Sequence, residues 1–71
     1  MRMQEVATIQ FTDADSGDKA VAIVRAGEAH VALCLSLLSN GDIEVVMGSG
    51  EGTRLVEALQ RAISIGKAPD R

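Results

Sequence analysis

Aromatic residues are almost absent from this sequence, which contains Phe11 but neither tryptophan nor tyrosine. A stacking platform for single-stranded nucleic acid is therefore missing, and any core must be built from aliphatic side chains. Cysteine is equally scarce, because Cys34 is the only one and no disulfide can form within the chain. The sequence has no cluster of histidine and cysteine with the spacing of a structural metal site. We therefore expect neither a cofactor nor a metal.

Basic residues are outnumbered, with 7 Lys and Arg against 10 Asp and Glu and a net charge of −3. Nucleic acid and anionic membranes attract proteins through basic surfaces, so neither is an expected partner. The longest largely apolar run, residues 31–38, is too short to span a bilayer. A lone thiol, together with a first segment that lacks the charged-then-apolar order of a signal peptide, predicts a cytoplasmic protein.

The chain does contain a series of strand patterns followed by one helical pattern. Alternation near the start places Ala7, Ile9 and Phe11 on one face, as in a half-buried strand. Aspartate and serine side chains with Gly17 predict a turn between the first two strands. Gly27 is expected at the first central position of a type II′ hairpin turn, followed by glutamate. The predicted strands are 3–12, 19–26, 29–38 and about 42–47, and the predicted helix is about 51–65.

The turn after the third strand can be read in two ways. A two-residue loop at 40–41 would place Leu37 opposite Glu44. A three-residue loop at 39–41 places Leu37 opposite Ile43 and keeps the apolar side chains on one face. We favour the longer loop, which also puts its glycine in the left-handed position of a bulge.

The helix ends carry recognisable signals. Ser49 and Thr53 compete as the N-cap. Gly66 suits the position just beyond the last helical residue, and Pro69 prevents continuation. Residues 67–71 are expected to be a frayed tail. The apolar stripe of the helix consists of Leu55, Val56, Leu59, Ala62 and Ile63.

These elements predict a single α+β domain over residues 1–71, a four-stranded antiparallel β-meander followed by one C-terminal α-helix. A chain of this length buries only about 60% of its surface, so its own core is marginal. One helix can cover only one face of a sheet, and a solvated face normally alternates with polar residues. We expect a second copy of the chain over the other face, with a dimer favoured. The alternative is that small residues are tolerated at a wet surface. The residues predicted for this oligomer face are Val6, Ala32, Cys34 and Val46.

The glycine-rich segment 48–53 precedes the helix, where free N–H groups and the helix dipole favour anions. It is not a P-loop, because no lysine follows the glycines, and the spacing is wrong for a dinucleotide fingerprint. A flexible connection is the favoured interpretation. A weak anion site remains the alternative, and its residues would be Ser49, Gly50, Gly52 and Thr53.

Two other groups of polar residues lack the spacing of a functional site. Asp13, Asp15 and Asp18 share a turn, but the carboxylate twelfth ligand and flanking helices of a calcium loop are missing, so a solvated acidic turn is favoured. His30 and Cys34 lie on one strand and are roughly 13 Å apart, too far for a shared metal or a nucleophile–base pair. No catalytic set is legible, and we do not expect an enzyme.

The favoured hypothesis is a non-enzymatic homo-oligomeric module for protein–protein interaction. As an alternative, the order of four strands and a helix resembles PC4-like and Whirly-type domains. That resemblance implies pairing through the helices and binding of single-stranded nucleic acid on the sheet. This sequence departs from such domains in having no aromatic platform beyond Phe11 and no basic sheet face. A third hypothesis is a small anion or nucleotide sensor that uses the glycine-rich segment.

Overall fold

The computed structural model describes residues 2–67. The chain forms one antiparallel sheet in which each strand lies beside the next in sequence, followed by a helix. The predicted four-stranded meander with a C-terminal helix is confirmed. The predicted effect of Pro69 and most of the expected tail lie outside the described residues. The elements are β1 (Gln4–Thr12), β2 (Lys19–Gly27), β3 (His30–Leu37), β4 (Gly41–Gly48) and α1 (Ser49–Lys67).

Strand register divides the sheet into two faces, because residues paired across strands share a face. Leu35 pairs with Ala22 on β2 and with Ile43 on β4, and Ala22 in turn pairs with Ile9 on β1. The predicted face of β1 is thereby confirmed. We call this side the apolar sheet face, and its members are Ala7, Ile9, Phe11, Ala20, Ala22, Val24, Ala26, Val31, Leu33, Leu35, Leu37, Ile43, Val45 and Met47.

The other side of the sheet, which we call the mixed face, combines polar, charged and small apolar side chains. A bulge in β1 lies between Glu5 and Ala7, so Val6 is the extra residue on that edge strand. Away from the bulge, the members of the mixed face are Glu5, Thr8, Gln10, Thr12, Lys19, Val21, Ile23, Arg25, His30, Ala32, Cys34, Ser36, Asp42, Glu44 and Val46.

The first turn forms as predicted. The carboxylate of Asp13 accepts hydrogen bonds from the backbone N–H and the hydroxyl of Ser16, at 2.8 and 2.7 Å. Gly17 donates its N–H to the Asp13 carbonyl and has a φ of 80°. Short polar side chains thus satisfy the backbone of a sharp turn, and glycine takes the left-handed conformation without steric cost.

The second turn differs from the prediction by one residue. Gly27 still belongs to β2 and pairs with His30, so the two loop residues are Glu28 and Ala29. Ala29 takes the left-handed conformation, with a φ of 59°. Gly27 instead lies close to the N-terminal segment: a Cβ there would lie 2.8 Å from the sulfur of the flexible Met3 side chain and 3.3 Å from the Arg2 carbonyl oxygen. The glycine serves close packing rather than turn geometry, which the local sequence pattern did not distinguish.

The third turn has the predicted number of residues but a different register. The loop is 38–40, and Leu37 pairs with Gly41 rather than with Ile43. A shift of two residues keeps every side chain on its predicted face, because strand periodicity is two. Gly41 has a φ of 78°, which confirms its left-handed conformation.

The helix begins earlier and ends later than predicted. Because α1 starts at Ser49, the capping position belongs to Gly48, whose N–H donates to the Glu51 carboxylate at 3.0 Å. This is the glutamate half of a capping box. Thr53 lies within the helix and donates its hydroxyl to the Ser49 carbonyl, so neither predicted N-cap residue holds that position. At the other end α1 continues through Gly66 to Lys67, and the prediction that Gly66 terminates it was wrong.

The expectation that the helix covers a face of its own sheet was also wrong. Among the strands of the described chain, α1 contacts β3 and β4 alone. The radius of gyration is 14.1 Å, against about 11 Å for a compact chain of this length. Within residues 2–67 the only buried apolar residues are Ala20 and Ala32. Sheet and helix are each well formed, but they enclose almost no common core.

Candidate functional site

The apolar sheet face is the most extensive uncovered surface of the described chain. Its strands present large side chains that are about half exposed or more, and Ile43 reaches 64%. Large contiguous apolar patches are uncommon on the surfaces of monomeric proteins, which makes this face the candidate site. The large exposed members of the face are Ile9, Phe11, Leu35, Ile43 and Val45.

One end of this face forms a concave groove. It lies where β3 ends and β4 begins, opposite the Gly48 end of β4 from which the helix departs. The groove holds about 400 Å³. Because the helix leaves from the far end, the groove stays open in the isolated chain. Its apolar lining includes Phe11, Ala20, Leu35, Leu37 and Ile43.

The helix carries a second uncovered apolar surface. The stripe is exposed along its length, and α1 contains no buried residue in its described part. The first turns of the helix lie beside the sheet. A Cβ added at Gly52 would lie 3.4 Å from the Val31 side chain, which is an ordinary contact distance. Beyond that contact, Met47 and Leu55 border a cleft of about 600 Å³ between helix and sheet. The exposed members of the stripe are Leu55, Val56, Leu59 and Ile63.

The mixed face differs because an ion pair crosses it. Arg25 on β2 reaches Glu44 on β4, with 2.7 Å between Nη1 and Oε2. The pair spans β3 at the level of Ala32, which is only 1% exposed and lies between Arg25 and Val46 in the register. Of the residues predicted for the oligomer face, Ala32 is therefore already covered by its own chain. Cys34 is half-buried, Val46 is half exposed, and Val6 stands at the bulge.

The glycine-rich segment is folded into the start of the helix. The carboxylate of Glu51 holds the Gly48 N–H, which places a negative charge at the helix N-terminus. Gly52 packs on Val31, and the Thr53 hydroxyl is bonded to a backbone carbonyl. Gly52 and Thr53, two of the predicted anion-binding residues, thus have contacts within the fold. The adjacent carboxylate of Glu51 would also repel an anion.

The acidic turn also has structural partners. The hydrogen bonds from Ser16 lower the pKa of Asp13, because they stabilise the charged carboxylate. Asp18 accepts a hydrogen bond from the Ser39 hydroxyl, which ties the turn to the loop after β3. Among residues 2–67 no group of three or more potential metal ligands comes together. The acidic residues act within the fold as turn and loop contacts.

His30 and Cys34 stay apart as predicted, on one strand with separate surroundings. The Nδ1 atom of His30 lies 2.8 Å from the Glu28 carbonyl at the hairpin turn. Cys34 pairs with Ile23 and Glu44 in the middle of the sheet. Because His30 lies at the hairpin turn and Cys34 in the middle of the strand, the two do not form a nucleophile–base pair.

The sequence patterns identified the residues of the uncovered surface, but they did not show that these residues would stay exposed. Alternation identified Ile9 and Leu35, and helical spacing identified Leu59. We expected these two apolar sets to meet within one chain. No signal in the sequence argued against this, because the glycine-rich segment 48–53 indicated a flexible connection, whereas in the structure no loop separates β4 from α1 and a helix needs several connecting residues to turn back over its sheet.

Comparison with known proteins identifies no relative: no family model, curated protein or solved structure matches the chain. Within the described residues, α1 is not apolar enough over its length to cross a membrane. The functional argument therefore depends on the geometry of the chain itself.

Proposed function

We propose that this protein is a homo-oligomeric protein-interaction module whose folded unit is a dimer. The observation that carries the proposal is the near absence of a core, with Ala20 and Ala32 as the only buried apolar residues between positions 2 and 67. Two alanine side chains cannot offset the conformational entropy that a chain of 71 residues loses on folding. A partner that covers the apolar sheet face supplies the missing burial.

The amount of exposed surface agrees with a missing partner. The chain exposes 5582 Å², whereas a compact monomer of the same mass exposes roughly 4,200 Å². The excess is on the order of 1,400 Å², which is more than the approximately 800 Å² that each partner contributes to a standard interface. Surplus area of this size is typical of obligate dimers, whose protomers resemble a domain core cut in half.

The interface is placed on the apolar sheet face rather than on the mixed face. The mixed face has an ion pair across its centre, and burying the half-exposed Arg25 and Glu44 would remove their hydration. The strand residues that make up the apolar sheet face include no charged side chain, and the charges near it are those of Asp13 and Asp42, which line the groove. This placement replaces the predicted contact through Val6, Ala32, Cys34 and Val46.

Sedimentation equilibrium across the micromolar range tests the proposal. We expect a mass of twice 7.4 kDa, and a midpoint of thermal unfolding that rises with protein concentration because association and folding are coupled. A folded species of monomer mass with a concentration-independent midpoint would contradict the proposal.

The two alternatives gain no supporting observation. Phe11, the only aromatic residue, lies on the apolar sheet face, so the mixed face offers no ring for base stacking. An anion sensor would need the helix N-terminus that Glu51 occupies. Binding of a labelled oligonucleotide at low salt, or thermal stabilisation by nucleotides or phosphate, would favour one of these alternatives.

A further inference from the structure

We infer that the dimer forms by reciprocal docking, in which helix α1 of each protomer lies across the apolar sheet face of its partner. This inference rests on the proposed function and specifies its geometry. It commits to a second copy of the chain as the occupant, and to a helix-on-sheet contact rather than sheet-on-sheet or helix-on-helix pairing.

The junction between β4 and α1 prevents the helix from covering its own sheet. Gly48 is the last strand residue and Ser49 the first helical residue, so no loop is available to reverse the chain. The bond from Gly48 to Glu51 caps the first turn, which runs beside Val31 at Gly52. The helix consequently leaves the sheet at the Gly48 end, and its apolar stripe stays unpaired.

The two uncovered surfaces match in length. The helix has 19 residues, which at 1.5 Å per residue extend about 28 Å. Strands of eight or nine residues extend about 26–30 Å at 3.3 Å per residue. Because the first turns stay beside their own sheet, the second half of a helix from another copy, about 14 Å long, can lie along the part of the apolar sheet face that holds the groove.

Two-fold symmetry then closes the assembly. If the helix of one protomer covers the sheet of the second, the symmetry axis places the second helix on the first sheet. The apolar sheet face and the stripe of both protomers are covered in one step, and the contact closes on itself instead of extending into a fibre. The driving force is burial of apolar area, to which each protomer contributes a sheet and a stripe.

The free parts of the two surfaces define the register of docking. The first turns of α1 already pack on their own Val31, so the free part of the helix is its second half, with Leu59 and Ile63. The free part of the sheet is the groove, with Leu35 and Ile43. We therefore place Leu59 and Ile63 of one protomer in the groove of the other.

Disulfide trapping between differently substituted chains tests this register. Two proteins are prepared in a Cys34→Ser background, one with Ile63→Cys and the other with Ile43→Cys, and one of them carries a mass tag. They are unfolded together, refolded as a mixture and treated with a mild oxidant. We expect a mixed cross-linked product of one tagged and one untagged chain. As a matched control, Ser64→Cys on the outer face of the helix replaces Ile63→Cys, and we expect loss of the mixed product.

Other outcomes would overturn the inference, and they are separable from failure of the proposed function. A product joining two Ile43→Cys chains alone indicates sheet-on-sheet contact, and one joining two Ile63→Cys chains alone indicates helix pairing. If the double variant Ile43→Cys/Ile63→Cys gives only an internally cross-linked monomer, the helix folds back on its own sheet. Sedimentation of the same samples before oxidation reports whether a dimer is present. A dimer without the mixed product contradicts docking alone, whereas a folded monomer contradicts both proposals.

Discussion

The mixed face and the apolar sheet face share the same four strands, but they differ in how their apolar atoms are shielded. On the mixed face, Ala32 lies under an ion pair between Arg25 and Glu44 and is nearly inaccessible to water. On the apolar sheet face, Ile9 and Ile43 remain more than half exposed. One face is completed by long charged side chains of its own chain, which can cover apolar neighbours with their hydrocarbon stems. The other has no such residues and stays exposed in the isolated chain, where we propose that a second copy covers it.

Adjacent positions on β1 give the largest expected contrast between the faces. Ile9→Asp places a carboxylate on the apolar sheet face, and Gln10→Asp places the same group on the mixed face. In a dimer that buries the first position, we expect Ile9→Asp to cost roughly 3 kcal/mol or more, because an unpaired charge is desolvated. We expect about 0.5 kcal/mol or less for Gln10→Asp. Thermal unfolding and sedimentation of both variants measure the difference, and equal small effects would show that both faces stay wet.

The helix provides a second contrast, between its stripe and its outer face. Leu59→Ala removes a large apolar side chain from the proposed contact, and we expect a loss of about 2–3 kcal/mol in the free energy of unfolding, with weaker dimerisation. Gln60→Ala, on the outer face, should change stability by about 0.5 kcal/mol or less. If the helix has no partner in solution, Leu59→Ala will lower stability no more than Gln60→Ala does. Thermal unfolding of both variants at several protein concentrations distinguishes the two outcomes.

The β2–β3 hairpin offers a change that concerns neither face. Ala29 has a φ of 59°, a conformation that costs about 1–2 kcal/mol for a residue with a Cβ. We expect Ala29→Gly to stabilise the protein by about 1 kcal/mol, without altering the dimer. Ala26→Gly, at a strand position of the apolar sheet face without a positive φ, should destabilise it by about 0.5–1 kcal/mol. Urea unfolding of both variants at one protein concentration measures the two changes in stability. If Ala29→Gly destabilises the protein as Ala26→Gly does, the left-handed conformation of Ala29 is not a source of strain.

The ion pair on the mixed face should contribute little by itself. Arg25 and Glu44 have side chains that are 35% and 42% exposed, so solvent screens their attraction and we expect a coupling of about 0.5 kcal/mol. A double-mutant cycle with Arg25→Ala and Glu44→Ala measures it. A coupling several times larger would indicate that this face is also desolvated in the assembly and would weaken the contrast with the apolar sheet face.

The smallest expected effect is a pH dependence from the first turn. Hydrogen bonds from Ser16 lower the pKa of Asp13 below its ordinary value of 3.8. In the window between the two values the unfolded chain binds the proton and the folded chain does not, so stability rises with pH. The contribution is complete above the ordinary value and is lost as the pH falls through the lowered one. Asp13→Asn should flatten this part of an acid-unfolding profile, whereas Asp15→Asn should leave it unchanged.

Local patterns in the sequence predicted most of the fold. Alternation at Ala7, Ile9 and Phe11 and helical spacing at Leu55 and Leu59 identified strands, faces and helix, because these periods depend only on backbone geometry. The turn around Gly17 followed from side chains that bond to neighbouring backbone atoms. The exact residues of the later turns were less determined, since a shift of two positions leaves each face unchanged.

The sequence by itself determined four strands, one helix and the sorting of residues onto two faces, because each of these results from contacts between near neighbours. Whether the helix meets its own sheet was decided only in the tertiary structure. The direct passage from Gly48 to Ser49, the bond to Glu51 and the contact of Gly52 with Val31 together set the direction of α1. Of these, only the approach of Gly52 to Val31 joins residues distant in the chain, and the period of a hydrophobic pattern shows neither that approach nor the direction in which a helix leaves its strand.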